Sequence, residues 1–122
     1  VGKPMIVVVQ GTNEFNDYNT FLRAMGVALS EMSQQDKELN IYAVGSKESN
    51  VPNFAMEFCN LSESGMKGRG KKIKMYRATD SWMKQYLSEV NHFMFFSKPK
   101  QPLSILAKGA QDLNVNVSVF NY

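Results

Sequence analysis

Short apolar runs alternate with amphipathic segments along the whole chain. The runs have the length of β-strands and predict strands at residues 5–10, 39–44, 72–77, 92–96 and 115–120. Between them, apolar residues recur every three or four positions and predict helices over residues 17–33, from about residue 52, and over residues 82–89 and 103–113. Because strands and helices alternate strictly, the pattern predicts a three-layer α/β/α Rossmann-like sandwich around a five-stranded parallel sheet.

The kind of pattern within each run indicates its place in the sheet. Residues 5–10 and 92–96 are continuously apolar, which is typical of central strands covered on both faces. Residues 72–77 and 115–120 alternate between polar and apolar, as edge strands do. The glycine-containing segment 61–71 predicts a mobile loop, and Asp80 or Ser81 is the expected cap of the third helix.

Composition sets the broad class. A chain of 122 residues with 43% hydrophobic and 20% charged residues indicates one domain over residues 1–122, and its longest apolar runs are too short to cross a bilayer. The single Cys59 excludes an internal disulfide and favours a reducing compartment, so we expect a cytoplasmic protein. Cys59 lies on the apolar side of a predicted helix, which favours a structural thiol over a nucleophile.

A basic segment interrupts the mild net charge of +3. Within eleven residues free of acids the chain carries Lys67, Arg69, Lys71, Lys72, Lys74 and Arg77. Such a segment can follow a nucleic-acid backbone, with Tyr76 or Trp82 stacking on bases. It is also consistent with a solvated loop leading into a charged edge strand, and core packing is the default expectation for Trp82.

The first strand leads into the most distinctive motif, Gly11-Thr12-Asn13-Glu14-Phe15-Asn16-Asp17-Tyr18. It resembles the Gly-Ser/Thr-Arg-Asp-Phe-x-Asp-Tyr motif of the SLOG superfamily, the Rossmann-like domains grouped with DprA and the LOG phosphoribohydrolases. The likeness is strongest to the small stand-alone bacterial and phage members, which implies a phage origin. In the second family motif only Gly45, Val51 and Ala55 remain, and the two later motifs are absent.

The resemblance implies a ligand as well as a topology. The family's strand order, 3-2-1-4-5, places a crevice between strands one and four, where α/β sheets bind ligands. A nucleotide or another phosphate-bearing ligand would meet glycine turns, free helix amides, hydroxyls and lysines there. The candidate ligand-binding residues are Gly11, Thr12, Asn13, Gly45, Ser46, Lys47, Ser97 and Lys98. Gly11 and Gly45 are also consistent with tight turns alone.

Signs of catalysis are few. His92 is the only histidine and has no Cys nearby, and no G-x-S-x-G motif is present. We therefore expect no catalytic residues, no metal and no cofactor. If the chain is an enzyme, the resemblance implies an N-glycosidic hydrolase acting on nucleotides, although the family's acidic residue is replaced near Pro52.

Two functional hypotheses follow. The first is a catalytically reduced SLOG-like protein that binds a nucleotide-like ligand. The alternative is a module that uses the basic segment to bind nucleic acid, as the DprA domain binds single-stranded DNA, or to dock on a larger protein complex. The resemblance also implies a homodimer.

Overall fold

The computed structural model describes residues 3–122, in which strands and helices alternate around one five-stranded sheet. The strands are β1 (Met5–Gly11), β2 (Glu38–Val44), β3 (Lys72–Ala78), β4 (His92–Ser97) and β5 (Asn116–Asn121). The helices are α1 (Tyr18–Glu31), α2 (Val51–Gly68), α3 (Asp80–Tyr86), which continues into a 3₁₀ turn (Leu87–Glu89), and α4 (Ile105–Asp112). The predicted order of elements is confirmed.

The sheet is parallel throughout, with the strand order β3-β2-β1-β4-β5. From β1 the chain moves outward to β2 and β3, then crosses back to β4 on the other side of β1. The order and the central place of β1 are therefore as predicted. The direction of the crossovers reverses between β1 and β4, which is the usual place of a ligand crevice in such sheets.

The side chains of β1 alternate between two apolar cores. Val7 and Val9 pack with α1 and α2 on one side of the sheet, which we call the α1–α2 face. Ile6 and Val8 pack with α3 and α4 on the other, the α3–α4 face. Because β1 is buried on both faces, its continuous apolar sequence follows directly from its position. No helix within residues 3–122 has the length and apolarity needed to span a membrane.

Side-chain caps fix where three of the helices begin. Asp17, one of the predicted caps, accepts hydrogen bonds from the Thr20 hydroxyl at 2.7 Å and the Thr20 N–H at 3.2 Å, and these bonds hold the pKa of Asp17 below its usual value. The expected cap of α3 was wrong: Thr79, not Asp80 or Ser81, accepts from the Trp82 N–H at 3.2 Å. Ser104 caps α4, which is shorter than predicted.

The expected mobile loop over residues 61–71 is also wrong, because α2 continues to Gly68. Met66, seven residues after Cys59, is 4% exposed and lies in the core of the α1–α2 face. This burial offsets the helix-destabilising effect of Gly65 and Gly68, each of which costs a helix roughly 1 kcal/mol relative to alanine. The turn comes only at Gly70, whose φ of 73° suits glycine.

His92 joins three elements at the base of the α1–α2 face. The residue is 2% exposed, with ring atom Nδ1 2.6 Å from Glu31 Oε1 of α1 and Nε2 2.7 Å from Ser118 Oγ of β5. Both ring nitrogens therefore have partners, and the histidine acts as a structural link between β4, α1 and β5.

We expect His92→Ala to lower the free energy of unfolding by about 2–4 kcal/mol, because it removes a buried ring and leaves Ser118 without its partner. Urea denaturation followed by circular dichroism measures the change. Gln111→Ala, an exposed substitution on α4, is the control and should leave stability unchanged. Equal stability of the two variants would contradict the structural role of His92.

Candidate functional site

The carboxyl end of β1 is closed by aromatic side chains. A Cβ placed on Gly11 would lie 3.1 Å from Val51, 3.2 Å from Phe96 and 3.4 Å from Phe15. Phe15 is fully buried and stacks on Phe96 with ring centroids 4.6 Å apart. Gly11 is therefore required for close packing in this structure, and the space beside it holds protein side chains.

The N–H and the hydroxyl of Thr12 both have hydrogen-bond partners within the chain. Its N–H donates to the Phe96 carbonyl at 3.1 Å, and its hydroxyl is hydrogen-bonded to the Tyr122 hydroxyl. The Tyr122 ring lies 4.9 Å from that of Phe15, so it covers the same end of the sheet. Asn13 is exposed beyond this aromatic cover.

The other predicted ligand residues stand on separate turns at the same end of the sheet. The Ser46 hydroxyl donates to Glu48 at 2.7 Å, and Lys47 is exposed. Lys98 is exposed, while Ser97 is 1% exposed and its hydroxyl has no partner among the described residues. Gly45 makes a tight turn, since a Cβ there would lie 2.8 Å from the side chain of Ser49.

The six cations of the basic segment do not share one surface. Lys67 and Arg69 lie at the end of α2, and Lys71 Nζ donates to the carbonyls of Ser33 at 2.8 Å and Asp36 at 2.5 Å. Lys72, Lys74 and Arg77 lie on β3, the edge strand. The segment therefore divides into the end of a helix, a structural lysine and a charged strand.

Four aromatic rings form a continuous stack on the α3–α4 face beside β3. We call this set the aromatic surface, and its members are Tyr42, Tyr76, Trp82 and Tyr86. Tyr42 lies at its centre, 5.0 Å from Tyr76 and 5.5 Å from Trp82, with interplanar angles of 23° and 18°. Trp82 also stacks on Tyr86 at 5.1 Å.

The outer rings of the aromatic surface are open to solvent. Tyr76 is 39% exposed and Trp82 is 46% exposed, whereas Tyr42 is sufficiently covered that burial raises the pKa of its hydroxyl. An opening of about 470 Å³ lies over them, lined by Tyr42, Tyr76, Arg77, Ala78, Thr79 and Trp82. The core packing considered for Trp82 is therefore incomplete: one part of the ring supports the fold and the rest is available for contact.

Cations accompany this surface along β3. Alternation along the strand places Lys74 and Lys72 on the same face as Tyr76, two and four residues before it, respectively. Lys74 Nζ is 3.6 Å from Glu38 and its side chain is 49% exposed, so the ion pair is open to solvent and weak. The α3–α4 face thus presents aromatic rings and ammonium groups in one row.

Sequence reasoning singled out Tyr76 and Trp82 but missed Tyr42 and Tyr86. The missing information is the register: β2 pairs with β3 so that Tyr42 lies directly beside Tyr76. Given the order 3-2-1-4-5, two tyrosines in the middle of adjacent strands were a detectable signal. Tyr86 lies one helical turn after Trp82, at the end of α3.

Reactive chemistry is sparse among the described residues. Within residues 3–122 no group of three or more His, Cys, Asp or Glu side chains is placed to hold a metal ion. Cys59 is 8% exposed, and burial raises the pKa of its thiol to about 11, which disfavours the thiolate. A structural role for this thiol fits its surroundings.

Comparison with protein-family models gives no match for this chain, and comparison with curated proteins and with solved structures gives none either. The case for a function therefore rests on the residues and their geometry.

We expect Cys59 to be almost inert toward thiol reagents at pH 8. With a pKa raised to about 11, only about one thiol in a thousand is ionised at that pH, and burial excludes the reagent as well. The measurement is the rate of thiol modification in native buffer and in denaturant, where the ordinary pKa returns and fast reaction is expected. Comparable rates in the two solutions would contradict the burial of Cys59.

Proposed function

We propose that this protein binds single-stranded nucleic acid, with bases against the aromatic surface and phosphates near the lysines of β3. The observation that carries the proposal is that two solvent-exposed rings, Tyr76 and Trp82, each stack on Tyr42. This is the alternative that the sequence offered for the basic segment, now assigned to a defined surface.

The energy of such binding comes mainly from stacking. A base on an aromatic side chain contributes roughly 1–3 kcal/mol by alanine substitution, and every base offers a suitable face. Tyr76 and Trp82 are already supported by Tyr42 and Tyr86, so little side-chain freedom remains to be lost on binding. A preorganised pair of rings suits a ligand that presents more than one flat face.

Charge favours a phosphate-bearing ligand over a neutral one. Lys72 and Lys74 share the face of Tyr76, whereas Arg77 alternates to the α1–α2 face and donates to Asn53 of α2 at 3.5 Å. Glu38 offsets part of the charge of Lys74. A single strand fits better than a duplex, because bases in a duplex are stacked on each other and offer only their edges in the grooves.

The other hypothesis, a nucleotide or phosphate ligand in the crevice beside Gly11, has less geometric support. Phe15 and Tyr122 occupy the space above the turn, and the N–H and hydroxyl of Thr12 are already hydrogen-bonded within the chain. A ligand would have to displace this aromatic cover. The SLOG resemblance, including any remaining hydrolase activity, therefore adds less to the functional proposal than the aromatic surface does.

We expect Trp82→Ala and Tyr76→Ala each to weaken binding of a fluorescent single-stranded oligonucleotide by roughly tenfold, the loss of one stacking contact. Fluorescence anisotropy at low salt measures the affinity. Ile105→Ala, which removes a side chain that is 85% exposed and lies outside the aromatic surface, is the matched control.

Trp82 is the only tryptophan of the chain, so its fluorescence reports directly on this surface. In the wild type we expect the oligonucleotide to quench it in parallel with binding. Binding without quenching, or with unchanged affinity in both aromatic variants, would refute the proposed surface.

We also expect the double variant Lys72→Gln/Lys74→Gln to bind more weakly and to lose part of the salt sensitivity of the wild type, because two phosphate contacts are removed. Titrations at several salt concentrations measure both effects. Lys108→Gln, an exposed lysine on α4, should change neither. An affinity that is independent of salt in the wild type would point to an uncharged or protein ligand instead.

A further inference from the structure

The two edges of the sheet differ sharply in charge. The β3 edge carries Lys72, Lys74 and Arg77, and charged side chains are the usual protection of an exposed edge strand against pairing. The β5 edge has no such protection: from Asn114 to Tyr122 the sequence contains no charged residue and no proline.

The β5 strand is otherwise well suited to pairing. It runs for six residues in unbroken register with β4, and because β5 is the last strand of the sheet, the outward N–H and C=O groups have no neighbouring strand among residues 3–122. Val119 is 45% exposed, and it shares the α3–α4 face with Val117. A regular, uncharged strand with exposed valine is a template for another strand.

We propose that β5 pairs with β5 of a second copy of this chain, antiparallel about a two-fold axis, so that the two sheets become continuous. Identical strands can close symmetrically only in this antiparallel way. With the axis beside Ser118, Val119 of each copy lies opposite Val117 of the other, and cross-strand pairs of β-branched residues stabilise such a ladder.

Charge distinguishes the two edges of the sheet as sites for self-pairing. An uncharged strand meets no repulsion when it pairs with itself, whereas self-pairing of β3 would set lysines and arginine against one another. The dimer would also leave both aromatic surfaces at the far edges of the joined sheet, since β3 and β5 are at opposite ends of the strand order. The proposal is therefore independent of the proposed nucleic-acid binding.

Analytical ultracentrifugation of the full chain tests the pairing. We expect a dimer for the wild type and a monomer for Val119→Lys, which places two like charges diagonally across the new ladder. Val27→Lys is the matched control, because Val27 is a valine of similar exposure, 38%, on α1, and this variant should remain dimeric.

A second variant covers the case in which Val119→Lys fails to fold, as judged by circular dichroism. Asn116→Lys changes an exposed residue at the start of β5 and should also give a monomer or a clearly weaker dimer. A monomeric wild type would overturn the proposal. A dimer that survives in every folded β5 variant, or that is lost in Val27→Lys, would overturn it too.

Discussion

Burial of the central strand on both faces is the constraint on which the rest of the structure depends. Every side chain from Met5 to Gln10 is buried, so the sheet needs a layer of helices on each side of β1. The α1–α2 face receives helices of 14 and 18 residues, whereas the α3–α4 face receives helices of 7 and 8 residues. The shorter pair covers less of the sheet, and aromatic rings cover part of the remainder over β2 and β3. The aromatic surface is thus first a consequence of incomplete helical cover, and its solvent-exposed rings are what a ligand can use.

The architecture was predictable because it follows from patterns that a single sequence contains. Continuous apolar runs identified β1 and β4 as central, and alternation identified β3 and β5 as edges. Helix ends were predicted less well, since they depend on contacts that are distant in sequence. Gly65 and Gly68 indicated a loop by local preference, but burial of Met66 against the core extends α2 through them. The same limit explains Thr79, whose role as a cap depends on where β3 ends.

The candidate site was harder to predict than the fold, for a related reason. Phe15 belongs to the motif that suggested a ligand crevice, yet in the structure its ring fills the place beside Gly11 where that ligand would lie. A motif gives the residues of a turn but not the direction of the side chain that follows. Conversely, Tyr42 and Tyr76 are 34 positions apart and become neighbours only through the β2–β3 register. The segment was correctly identified as basic, but its division among a helix end, a loop and an edge strand required coordinates.

The bonds of Lys71 change how the charge of the basic segment should be counted. Sequence gives six cations, but the ammonium group of Lys71 is held by two carbonyls of the loop between α1 and β2. Lys71 could bind a phosphate only by giving up these hydrogen bonds, which connect the start of β3 to the loop before β2. Each phosphate neutralised on a single strand releases about 0.7 counterions, and this release sets the slope of affinity against salt. The slope of affinity against salt should therefore correspond to fewer than the six cations of the basic segment. Neutralising Lys71 would destabilise the domain and leave that slope unchanged.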